Sequence, residues 1–135
     1  MIVVDTNILV YRWLPSARTA DVEALIQRDP EWAAPLLWRS EFRNVLAGYI
    51  RAGRLSPADA ERATRHAAGC LLGGEHALAD HAVLDLVART RCTAYDCEYA
   101  ALAKSLGTCV VTEDKALLTA LPKVCRSLSD MAHRS

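Results

Sequence analysis

At 135 residues, 52% of them apolar and with 16 Lys and Arg set against 16 Asp and Glu, the sequence has the size and composition of one domain, residues 1–135, with a core large enough to fold without staples. That composition excludes a disordered chain, and the zero net charge excludes nucleic-acid binding through bulk charge alone. Its apolar runs are far too short to span a bilayer, and Ile2–Val4 is too short for a signal-peptide core and has no basic segment before it, so the expected setting is cytoplasmic, with no membrane contact.

The β-branched run Ile2–Val4 predicts a short strand covered on both faces. Asp5 or Thr6 then caps a helix to about Trp13, broken at Pro15-Ser16. A helix is expected over residues 17–28, ended by Asp29-Pro30, and a strand over Trp32–Ala34. In residues 36–52, Trp38, Phe42, Val45, Leu46 and Tyr49 recur at helical spacing, with Gly53 as a stop. Ser56-Pro57 opens the next helix, which fades near Gly69. A turn at Gly73-Gly74 and a strand at His76–Leu78 lead to a helix from Asp80 to about Thr90. Thr93 opens another, through Leu106, with Gly107 as terminator. Cys109–Val111 reads as a second buried strand, 113–121 as a helix ended by Pro122, and Val124-Cys125 as a last strand. Strands alternating with helices predict a three-layer α/β/α domain with a central parallel sheet of about five short strands flanked by helices.

The five cysteines (Cys70, Cys92, Cys97, Cys109 and Cys125) contain no paired Cys-x-x-Cys, so they read as buried reduced thiols rather than a zinc ribbon or a disulfide framework. The four histidines lack helical metal-ligand spacing and are assigned no role.

The acids carry more information. Ligands of open parallel sheets bind outside the carboxyl ends of the strands. Asp5 follows the first strand directly, and Asp114 follows Val111 after Thr112 and Glu113. Glu41, on the long helix, falls about 60° from Trp38 and about 40° from Val45, bordering the apolar stripe, with Asn44 beside it. Asp96 lies in the first turn of "CTAYDCEYAALAKSL". Taken singly, each has a structural reading: Asp5 as a cap, Thr93 and Asp96 as a capping box, Asp114 as a partner of a helix dipole, Glu41 as half of an ion pair. Taken together, carboxylates gathered at one rim repel one another, and a hard divalent cation that takes oxygen ligands relieves the repulsion. Such a site activates water and polarises a phosphodiester, with Thr6, Asn7, Asn44 and Thr112 as candidates to orient the acids. Arg39, Arg43, Arg51 and Arg54 form a candidate basic rim, of which Arg39 and Arg43 are possible RNA contacts; the plainer reading is a solvated helix face.

The order "VVDTN", "LLWRSEFRNVL", "AYDCEYAALA", "VVTEDKAL" resembles the PIN-domain family, and most of all the small bacterial VapC-type toxins of toxin–antitoxin pairs, over residues 1 to about 121. The resemblance implies a metal-dependent endoribonuclease using Mg²⁺ or Mn²⁺. Its acidic quartet, catalytic and metal-binding, carries over to Asp5, Glu41, Asp96 and Asp114, and its polar support to Thr6, Asn7 and Thr112, with Asn44 matching a position often polar in the family. Glu98 and Glu113 are extra acids, read as solvated. The resemblance also implies an RNA substrate, a homodimer and a small cognate antitoxin, for which Trp13, Trp32 and Trp38 are candidate groove residues, core packing being the plainer role for at least two of them. Competing readings are a housekeeping RNA-processing or DNA-directed PIN nuclease and an inactive metal-binding PIN interaction module. A phospho-acceptor receiver or a haloacid-dehalogenase-type phosphatase fits less well, since Thr6 and Asn7 follow Asp5 where those sites need further acids.

Overall fold

In the computed structural model, which describes residues 1–134, β1 (Ile2–Val4) sits at the centre of a five-stranded sheet. The other strands are β2 (Trp32–Pro35), β3 (Glu75–His76), β4 (Val110–Val111) and β5 (Cys125–Arg126), in the order β3-β2-β1-β4-β5, with every pairing parallel. Successive strand residues point to opposite faces, and the core divides accordingly. Ile2, Val4, Trp32, Ala34 and Val111 belong to one apolar cluster, while Val3, Ala33 and Val110 belong to the other.

The first cluster is covered by α1 (Thr6–Trp13), α2 (Thr19–Arg28), α3 (Trp38–Arg51), α4 (Pro57–Cys70) and α8 (Leu128–His133). The second is covered by α5 (Asp80–Arg89), α6 (Ala94–Leu106) and α7 (Lys115–Ala120). The three-layer expectation holds, and the chain crosses from one half of the sheet to the other between β1 and β4, the topological switch point of such a fold.

Most boundaries fall within two residues of those expected, and the exceptions have causes. The strand expected at His76–Leu78 is displaced to Glu75–His76 because β3 pairs from Ala34↔Glu75. The helix expected from residue 113 begins at Lys115 because Asp114 is its cap, its Oδ1 accepting from the Ala116 and Leu117 N–H groups at 2.8 and 3.2 Å. α8 was not expected. Ser127 caps it by accepting from Asp130 N–H, and Leu128, Met131 and Ala132 are buried on one face. Glu113, expected to be solvated, ties this region together: it accepts from Arg18 at 2.8 Å and from the Leu128 N–H at 2.8 Å. The cysteines are all free thiols, with Cys92, Cys97 and Cys125 buried. Among the described residues, no helix is long and apolar enough to cross a membrane.

A candidate active site at the carboxyl ends of β1 and β4

Asp5 leaves β1 at its carboxyl end, where its N–H donates to Val111 O at 3.0 Å. Its carboxylate is held on both oxygens. Oδ1 accepts the Thr6 N–H at 2.7 Å, and Oδ2 accepts the Thr112 hydroxyl at 2.7 Å. Thr112 Oγ1 accepts in turn from the Asp114 N–H at 3.0 Å, which leaves its single proton to point at Asp5. A hydroxyl at the end of β4 therefore fixes an acid at the end of β1.

Glu41 approaches from the first turn of α3. Its Oε1 accepts the Tyr99 phenol at 2.6 Å and the Thr6 hydroxyl at 3.1 Å, and the two hydroxyls lie 2.6 Å apart. Among the described residues, Thr6 and Thr112 are the buried polar side chains, and both are spent on positioning these acids. Asp96 sits in the first turn of α6, where Thr93 Oγ1 accepts its N–H at 3.0 Å.

Asp5, Glu41, Asp96 and Asp114 all line one open cleft of about 470 Å³. Around them lie Thr6, Asn7, Ser40, Asn44 and Tyr95, with apolar walls from Leu37 and Val45. The capping and clustering readings of the acids are thus both true: each stands at or within the first turn of α1, α3, α6 or α7, so four helix amino ends, the positive poles of their dipoles, converge on the cleft.

No Lys, Arg or His is among the residues lining it, and the titration of the acids reflects this. Burial above all pushes the Asp5 carboxyl up to about 6; the hydrogen bonds from Thr112 and Thr6 pull it back, and the charges of Glu41 and Asp96 add to the rise. Asp96 is likewise raised, by burial first and then by the charge of Asp114. Burial, backed by the Glu41 charge, raises Glu98 as well. The Tyr99 phenol is held protonated by burial and by donation to Glu41.

Donors that are all oxygen, anionic and without a protein counter-charge suit a hard divalent cation. Among the described residues, no three His, Cys, Asp or Glu side chains are gathered tightly enough to hold an ion between them as they stand. The fit is therefore to a cation that keeps water in part of its coordination shell, as Mg²⁺ does.

Other expected residues are placed differently. Asn7 and Asn44 line the cleft, yet neither hydrogen-bonds an acid among the described residues. Arg39 and Arg43 lie off the α3 stripe of Leu37, Ser40, Glu41, Asn44 and Val45 that faces the cleft. Arg39 instead grips Glu75 with both arms, at 2.7 and 2.8 Å, and holds that carboxyl below its ordinary range. Trp32 and Trp38 are core residues, while Trp13 stacks on His66 with ring centroids 5.0 Å apart. Sequence reasoning missed Tyr99 as a site residue. The signal was present, since a buried tyrosine needs a partner for its hydroxyl and the nearby polar groups are those of the acid site.

A profile described as PIN domain matches residues 2–123. The chain belongs to the PIN-domain family. PIN domains are generally nucleases, and the acidic cleft of this one lies at the switch point between β1 and β4. Among solved structures, this PIN domain is similar to PAE2754 from Pyrobaculum aerophilum, at 26% identity and a TM-score of 0.71, over 97% of this chain and 92% of that one. No curated protein matches the chain at a significant level.

Proposed function

We propose that this PIN domain is a metal-dependent endoribonuclease, the toxin of a toxin–antitoxin pair, with Mg²⁺ or Mn²⁺ as cofactor. The observation that carries the nuclease reading is a cleft lined by four carboxylates and no basic side chain. Asp5, Asp96, Asp114 and Glu41 are the residues that would hold the cation. When bound, a divalent cation supplies charge neutralisation for the phosphodiester and an acidified water.

The chain's own residues do the rest. Thr112 and the Thr6 N–H keep the Asp5 carboxylate in one orientation. Tyr99 and Thr6 do the same for Glu41. The oxygen left free on Glu41, with the half-buried Asp96, is open to accept a proton from an attacking water. The toxin assignment, with a homodimer and a small antitoxin as partners, rests on the order of the four acid-bearing segments in the sequence.

The test is cleavage of total cellular RNA after brief induction, with cut sites mapped. Asp5→Asn and Asp96→Asn are expected to keep the fold and lose cleavage by about a hundredfold or more, the scale of losing one element of electrostatic stabilisation. Both variants cutting at the wild-type rate would defeat the assignment. Growth arrest on expression, relieved by a gene encoded beside this one, is the expected mark of the toxin; cleavage without arrest would point to RNA processing instead.

A further inference from the structure

A second cleft, of about 790 Å³, opens where the chain leaves the acidic one. A single residue step, from Asp114 to Lys115, carries the backbone from the lining of the first to the lining of the second. The opposite wall is the turn between α5 and α6, which bears Arg91 just before the Thr93 cap and Asp96.

The cations here differ in availability. Arg89 is paired with Asp85 at 2.8 Å. Arg91 and Lys115 are exposed and form no ion pair among the described residues. The turn carrying Arg91 is braced, because Thr90 Oγ1 donates to Leu86 O at 2.9 Å and accepts from the Cys92 N–H at 3.2 Å. Ala116 and Ala120 give the cleft apolar wall between the charges.

We infer that this cleft holds the phosphate backbone of the single-stranded RNA flanking the scissile bond, with Arg91 and Lys115 as its two anchoring cations. The inference rests on the nuclease reading above and adds the path of the substrate. Two observations favour RNA over an acidic protein segment. The cleft continues the acidic site along the chain, and a polymer cut there must extend past it. The acidic cleft also carries no cation of its own to hold a flanking phosphate, whereas phosphate contacts by Arg and Lys set the register of a nucleic acid on a protein.

The experiment uses the full chain bearing Asp5→Asn, so that substrate is not consumed. Binding of a labelled single-stranded RNA is followed by fluorescence anisotropy across a salt series. Arg91→Ala with Lys115→Ala is expected to weaken binding about tenfold at low salt and to flatten the log–log salt slope by about 1.4, the release expected from two phosphate contacts on a single strand. Lys104→Ala with Lys123→Ala, at the opposite end of the sheet, is expected to change neither. Arg91→Lys with Lys115→Arg should restore binding, separating lost charge from lost folding.

A loss no larger than that of the Lys104 and Lys123 control overturns the inference. So does a charge-dependent loss seen with polyglutamate but not with RNA. RNA binding through these residues in the Asp5→Asn chain, with no RNA cleavage by the chain that keeps Asp5, would remove the proposed activity and leave this cleft standing. Cleavage with unchanged KM in the Arg91 and Lys115 double variant would do the reverse.

Discussion

Asp5 illustrates the cost of a reactive site. Its carboxyl titrates near 6 rather than 3.8, which amounts to about 3 kcal/mol against the folded, ionised form at neutral pH. The sign follows from proton binding. Between about pH 4 and 6 the folded chain retains this proton while the unfolded chain has released it, so stability falls as pH rises through that window and levels off above it. Asp96 is shifted in the same direction, whereas Glu75, lowered by Arg39, contributes with the opposite sign. In chelator-treated protein, urea unfolding from pH 4 to 7 should therefore show a downward component that Asp5→Asn removes. Parallel curves for the two proteins would disprove it. Tyr99→Phe is the second test at this scale. It deletes the hydroxyl shared by Glu41 and Thr6, and the expected cost is about 1–2 kcal/mol in urea unfolding, together with a lower kcat as Glu41 loses one of its two restraints.

At the scale of elements, the site depends on how α3 is anchored to the sheet. Glu75 of β3 accepts from both Trp38 and Arg39, in the first turn of α3, and that turn also carries Glu41. β3 is placed by Gly74, whose carbonyl accepts the Ala34 N–H at 2.9 Å. A Cβ at this position would lie 2.3 Å from the backbone oxygen of Trp32, and a main-chain oxygen within a sheet cannot swing aside. Gly74→Ala should therefore destabilise the chain by about 2–4 kcal/mol, read as a lower urea midpoint. It should also reduce cleavage more than its stability loss explains, because the first turn of α3 moves with β3. Gly107 shows the other use of glycine: at φ 68° it closes α6 in the left-handed region, as a helix terminator should.

Over the whole molecule, zero net charge conceals a separation. Four acids line one cleft without a cation, and Arg91 and Lys115 line its neighbour. The acids are kept near one another only because the strands, and the Thr6 and Thr112 hydroxyls, position them, so a cation that binds the folded form alone should stabilise it. At a hundred times its Kd, Mg²⁺ or Mn²⁺ would add about 2.7 kcal/mol, a rise in Tm on the order of 10 °C for a chain of this size. Asp5→Asn should show little of that rise, and an equal rise in both proteins, by differential scanning fluorimetry, would place the ion elsewhere.

The α/β alternation, both central strands and the four acids were legible in the sequence, because each leaves a local mark: β-branched runs, helical periodicity, and caps beside strand ends. The Tyr99–Glu41–Thr6 triangle, the withdrawal of Arg39 to Glu75, the use of Glu113 as a strut and the existence of α8 were decided only by tertiary structure. The first three are pairings between residues distant in the chain, where a side chain's partner depends on which elements the sheet order brings side by side, and α8 is six residues long and held by burying Leu128 and Met131 in the first apolar cluster. Residue spacing places a group on a face of its own helix or strand; what that face meets is set by packing.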